Sequence, residues 1–143
     1  MKLLTSRAAR SPYAHLPFFV GWSDAELTRM SRLIEVIDYE PGDILAAGGQ
    51  RAREFIVIVC GKVDVVEGRR RLATLGEGDT IGEEGMLTDA LMSSAAVAQT
   101  YVKALVLGPR QFHGLLYDAP SMGRRLSMML AARLAARPAT STS

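Results

Sequence analysis

Leu75-Gly76-Glu77-Gly78-Asp79-Thr80-Ile81-Gly82-Glu83-Glu84-Gly85-Met86-Leu87 is the stretch on which the reading of this sequence turns. It is rich in glycine, acidic at its start, and apolar where a short helix would pack. Gly82 and Gly85 allow a backbone to come close to a bound molecule. A helix beginning near Glu83 would aim its first-turn N–H groups and the positive end of its dipole outward, an arrangement suited to an anion. Gly-Glu-Glu-Gly on its own is more commonly a tight turn, so its meaning depends on what surrounds it.

Working outward, the surroundings from about residue 35 to 108 are β-rich. Short apolar runs fall at 36–39, 44–46, 55–60, 63–66, 72–75, 95–100 and 102–107. Between them stand Pro41-Gly42-Asp43, Gly48-Gly49, Gly61, Gly68 and the Gly76–Gly82 stretch itself. Many short strands with turn signals between them predict an antiparallel sandwich or barrel. No helical pattern separates the strands, which argues against a doubly wound α/β fold.

Helices are predicted on both flanks. Ser23-Asp24-Ala25-Glu26 is a capping box, followed at helical spacing by Leu27, Met30, Leu33 and Ile34. Residues 109–117 form a short helix with Phe112, Leu115 and Leu116 on one side, broken at Asp118-Ala119-Pro120. Ser121 then caps a longer helix to about 136, with Met122, Leu126, Met129, Leu130 and Leu134 as its apolar stripe. Arg124, Arg125, Arg133 and Arg137 take its other faces. The expected organisation is a flexible leader (1–12), one folded domain (13–137) and a flexible tail (138–143).

Composition narrows the function classes. Lys and Arg total 17 against 15 Asp and Glu, a net charge of +2, too even to point to nucleic acid. Cys60 has no second cysteine to pair with, and its apolar run predicts a small buried hydrophobe in a reducing compartment. No signal peptide and no span of about 18 apolar residues is seen, so a cytoplasmic protein without membrane contact is expected. His15 and His113 cannot make a metal triad. Ser31, Ser93 and Ser94 lack a nucleophile motif, and the neighbouring carboxylates Glu83 and Glu84 would not face each other on a helix. An enzyme is not expected. Arg69-Arg70-Arg71 reads as a solvated hairpin tip.

The order helix, β-roll, Gly-Glu loop, two strands, short helix, long helix resembles the cyclic-nucleotide-binding domain family, of the catabolite activator protein and cAMP-dependent kinase regulatory subunit type. The resemblance covers residues 16–136. Leu16-Pro17-Phe18-Phe19 with Ser23-Asp24-Ala25-Glu26-Leu27 is similar to the family's first helix. Tyr39-Glu40-Pro41-Gly42-Asp43-Ile44-Leu45 is similar to its first turn, and Phe55-Ile56-Val57-Ile58-Val59-Cys60-Gly61-Lys62-Val63 to its central hairpin. Leu75 to Glu83 resembles the lead-in to its phosphate-binding cassette. The fold implied is mainly β: a double-stranded β-helix, a jelly-roll-like barrel, with one N-terminal and two C-terminal helices.

The resemblance also implies a ligand, cAMP or cGMP, and roles for residues, with no other cofactor. Glu83 would accept from the ribose 2′-hydroxyl, and the N–H groups of Glu84, Gly85 and Met86 would face the phosphate. Ile81, Val97 and the last helix would give apolar contact to the base. The family places an arginine against the phosphate. Here its position falls on Met92 or Ser93, and no arginine occurs between Arg71 and Arg110. Losing such a charge-assisted contact costs roughly 1.5–3 kcal/mol, or about one to two decades of affinity. Ser93 and Ser94 would substitute in part; Arg51 and Arg53 lie on another loop that the sequence does not place.

Two functions follow as expectations. One is a stand-alone regulatory domain that binds a cyclic nucleotide and signals through its last helix as a lid. The other is a ligand-independent module for dimerisation or docking of a protein partner that the sequence does not identify. A homodimer through the last helix, with Met122, Met128 and Met129 as adaptable packing, suits both. About seven residues follow that helix, too few for a helix-turn-helix reader of DNA.

Overall fold

The computed structural model describes residues 12–88 and 90–136. Eight strands form two four-stranded antiparallel sheets. β1 (Glu35–Tyr39), β8 (Val102–Leu107), β3 (Phe55–Cys60) and β6 (Thr80–Ile81) lie side by side in the first, in that order. β2 (Ile44–Ala46), β7 (Ala95–Ala98), β4 (Val63–Glu67) and β5 (Arg70–Leu75) make the second. The helices are α1 (Asp24–Leu33), α2 (Glu83–Thr88), α3 (Pro109–Asp118) and α4 (Pro120–Ala136), preceded by a 3-10 turn, Pro17–Phe19.

The unbroken apolar runs of β3 and β8 follow from burial on both faces. Phe55, Val57, Leu105 and Leu107 point to a cluster shared with the helices, while Ile56, Ile58, Val102, Ala104 and Val106 point into a cluster between the sheets. Period-2 alternation thus sorts one run into two cores. The helix-side cluster is aromatic: ring centroids lie 5.0 Å apart for Phe19–Trp22, 5.2 Å for Phe18–Phe55 and 5.1 Å for Phe55–Phe112. Each such pair adds about 0.5–1.5 kcal/mol beyond area burial.

The capping box forms as predicted. Ser23 Oγ accepts from the Glu26 N–H at 3.1 Å, and Glu26 Oε1 accepts from the Ser23 N–H at 2.8 Å. Glu26 also reaches α4. Its Oε2 accepts from the Ser121 N–H at 2.9 Å and its Oε1 from the Ser121 hydroxyl at 2.7 Å. One carboxylate therefore holds the first turns of two helices, where both dipoles favour negative charge. Burial pushes the Glu26 carboxyl up, but the hydrogen bonds from Ser23 and Ser121 outweigh it and bring the pKa down to about 2. An Arg29–Asp118 ion pair ties α1 to the end of α3 beside this junction.

Four expectations need correction. Cys60 is exposed: the β3–β8 register shifts between Ile58 and Cys60, and this bulge turns the strand end out of the core. Of the three arginines at 69–71, Arg69 alone sits in the turn; Arg70 and Arg71 begin β5, opposite Glu67 and Val66. Met122 is wholly buried among the helix-side residues and has no surface to offer a second copy, whereas Met128 is 63% exposed. The strand expected at 95–100 stops at Ala98, and the two-residue β6 went unpredicted. The leader (up to residue 11) and the tail (138–143) lie outside the described residues. Among the described residues no helix is long and apolar enough to cross a membrane.

Candidate ligand site

The stretch quoted at the outset is built as a staircase on β3. Asp79 Oδ2 accepts from the Gly76 N–H at 2.8 Å, closing the turn that leads in. The Gly78 N–H donates to the Ile58 carbonyl at 2.7 Å, and the Ile58 N–H to the Asp79 carbonyl at 2.9 Å. β6 then pairs Thr80 with Val57 and Ile81 with Ile56. At Gly82 the chain turns with φ +94°, and a Cβ there would lie 2.3 Å from the Glu54 carbonyl oxygen. A Cβ on Gly85 would lie 2.8 Å from the Ala52 Cβ. An added side chain at either glycine would thus meet the protein's own atoms.

α2 starts at Glu83, whose side chain is 1% exposed and whose Oε1 accepts from the Thr80 hydroxyl at 3.1 Å. Glu84 next to it is exposed. Above them lies a cavity of about 350 Å³, walled on one side by residues 80–85, on the other by 90–96 (Asp89 lies outside the described residues), with Val65 and Leu75 between. That volume is at the small end of ligand pockets.

Of the residues expected at the site, Ile81, Gly82, Glu83, Glu84, Gly85, Ser93 and Ser94 line this cavity. Met86 and Val97 do not. The Met86 N–H donates to the Gly82 carbonyl at 2.9 Å and its side chain packs in the helix-side core, so neither end is available. Val97 lies out of phase with the buried Ala96 and Ala98, on the outer side of the second sheet, opposite Ile44 and Asp64. The structure adds Thr80 and Ala96 to the lining, and Met92, which the sequence had marked as a position of the missing arginine. Thr80 was detectable as a hydroxyl three residues before Glu83; Ala96 required the fold.

The far wall carries no positive charge among its described residues; the two charged residues lining the cavity are Glu83 and Glu84. Residues 91–92 are locked to the β2–β3 loop. The Met92 N–H donates to the Gln50 carbonyl at 2.7 Å, the Gly49 N–H to the Met92 carbonyl at 2.6 Å, and Leu91 bridges Arg51. This places the arginines left unplaced above: Arg51 and Arg53 line an adjoining hollow of about 330 Å³, with Met92 as the wall common to both.

The fold and site together are a β-roll carrying a buried glutamate in a glycine-flanked turn, with helices before and after. Residues 36–118 match the profile of the family described as "Cyclic nucleotide-binding domain", and the chain belongs to that family, whose fold regulates and does not catalyse. It is 26% identical over 110 residues to a cAMP-dependent protein kinase regulatory subunit from Hypocrea atroviridis, covering 77% of this chain and 24% of that protein. The Thermus thermophilus catabolite activator protein superposes with TM-score 0.75 at 26% identity, over 82% of this chain and 58% of that one. A Trypanosoma brucei regulatory subunit, described as belonging to a cAMP-independent protein kinase A, shares the fold with TM-score 0.74 at 23% identity. The match spans 94% of this chain and 50% of that one, which is a triple mutant bound to cAMP in its A site. The chain spans about a quarter of the fungal relative's length and little over half of the bacterial one.

Proposed function

We propose that this domain binds a cyclic nucleotide in the cavity above α2 and changes the position of α4 in response. The observation that carries the reading is Glu83, a carboxylate 1% exposed at the wall of a cavity that the hydroxyl residues Thr80, Ser93 and Ser94 also line. A carboxylate held at a cavity wall can accept from a ribose hydroxyl, which supports this class of ligand. The first turn of α2 and the hydroxyls of Ser93 and Ser94 take the phosphate. The sequence match to a cAMP-dependent kinase subunit supports the same ligand class.

A shared wall supports a response of α4. Arg125 and Met129 line a smaller hollow that shares Leu75 and Thr80 with the ligand cavity. A ligand moves the helix only by binding one of its positions better than another.

A second reading has its own observation. No cation stands among the described residues lining the cavity, and Leu91 at its mouth is 64% exposed, which fits a roll kept for docking or dimerisation without ligand. The trypanosome relative, cAMP-independent by its description, has a cAMP-bound variant in which one of three substitutions introduces an arginine.

Thermal unfolding with millimolar cAMP and, separately, cGMP separates the two. Saturation at about 100 times the Kd adds roughly 2.7 kcal/mol. A rise in Tm that Glu83→Ala abolishes supports the sensor; unchanged unfolding with both nucleotides rejects it and leaves the docking module.

A further inference from the structure

Beside the ligand cavity lies a hollow of about 260 Å³ where three parts of the chain meet: the 3-10 turn, the lead-in to α2, and α4. Pro17, Phe18, Leu75 and Met129 give it apolar walls, and Asp79, Thr80 and Arg125 give it polar groups. Glu77 lines it too, its Oε2 3.4 Å from His15 Nε2. The Arg125 Nε is buried and has no hydrogen-bond partner among the described residues. A buried donor left unanswered is costly, which favours a guest that brings an acceptor. Met122 and Leu126, both buried, hold this part of α4 to the helix-side core, so the Arg125 backbone is fixed beside the hollow.

The hollow shares Leu75 and Thr80 with the ligand cavity. Thr80 also donates to Glu83 Oε1 at 3.1 Å, so the wall between the two spaces touches the carboxylate that takes the ribose in the reading above. A base hangs from its ribose by one bond, and a ribose at Glu83 brings the base to this wall. The apolar walls suit the faces of a planar ring. Its edge distinguishes the purines. Guanine presents O6 and N7 side by side, two acceptors that a guanidinium fork meets with two donors; adenine sets its donating N6 amino group beside N7. Asp79, whose Oδ2 holds the Gly76 N–H at 2.8 Å, has further acceptor capacity for the guanine N–H groups.

From this we infer that Arg125 reads the base, and that the site prefers cGMP to cAMP. This preference rests on the nucleotide reading of the cavity, and adds to it the base and the residue that selects it. Arg125 also gives the ligand a direct hold on α4.

Calorimetric titration of the whole chain with cGMP and, separately, with cAMP tests this. cGMP is expected to bind at least roughly tenfold more tightly, as one bidentate contact to a base allows. Arg125→Gln should lower the cGMP affinity to that for cAMP and leave cAMP binding unchanged. Arg110→Gln, an equal loss of charge on α3, should change neither. Thermal unfolding without nucleotide reports whether Arg125→Gln folds, and Arg125→Lys, which keeps the charge and loses the fork, should lose the same preference. Equal binding of the two nucleotides, tighter binding of cAMP, a preference for cGMP that survives Arg125→Gln, or an equal loss of both in that variant overturns the inference and leaves the nucleotide reading standing. Binding of neither nucleotide by the folded chain rejects both.

Discussion

The two clusters of buried side chains are built from different materials. On the helix side, Phe18, Phe19, Trp22, Phe55 and Phe112 fill the space with rings in contact. Between the sheets the buried residues are aliphatic, three of them alanines: Ala96, Ala98 and Ala104. Large rings bring 150–250 Å² each to a core, whereas alanines leave room. The helix-side cluster therefore holds helices to the roll, and the inter-sheet cluster leaves the room beside Ala96 that becomes the cavity. One strand, β3, serves both, its odd residues to the rings and its even ones to the aliphatic side.

The sharpest test of that division is Phe55→Ala, which removes the ring between Phe18 and Phe112 and should cost about 3–5 kcal/mol. Chemical denaturation would show it; a loss under about 1 kcal/mol would mean the rings are not what holds the helices. Next comes Ser93→Arg on the exposed wall of the cavity. Under the nucleotide reading it should tighten cAMP binding roughly 10- to 100-fold by calorimetry while leaving the unliganded Tm almost unchanged.

Glu26 gives a pH test of the helix junction. Its folded pKa, about 2, lies below the ordinary 4.5, so the ionised form favours the fold. That contribution is complete above pH 4.5 and is lost as the pH falls toward 2. Partial exposure of the residue reduces it to about 1–2 kcal/mol. Unfolding curves across this window should lose that part of their slope in Glu26→Gln. The smallest effect is expected at Ala96→Val, which enlarges a residue lining the cavity and should change stability by less than about 1 kcal/mol. A larger loss would show that the inter-sheet cluster is packed as tightly as the ringed one.

Local chemistry was legible in the sequence and long-range pairing was not. Ser23 and Glu26 declared their helix because both partners of the capping box lie within four residues. The runs at 55–60 and 102–107 declared strands because burial on both faces removes polar interruption. Glu26 bonding Ser121, 95 residues on, left no such mark. Neither did Arg51 opposite Leu91, nor Thr80–Ile81, a strand too short to show a period. At the site, the turn at Gly82 was readable in the sequence, but Met86 and Val97 do not line the cavity. Their roles depend on which way a side chain faces once helix and sheet have docked.

Gly82 has a consequence for descent. Its positive φ and the Glu54 carbonyl 2.3 Å from any added Cβ bar other residues there, whether or not anything ever occupies the cavity. A lineage that abandoned its ligand would still inherit this glycine, along with Gly85 against Ala52. Packing alone is enough to keep both. The exposed residue at 93 on the cavity wall meets no such constraint, so its drift or persistence among descendants would record when the cavity was in use.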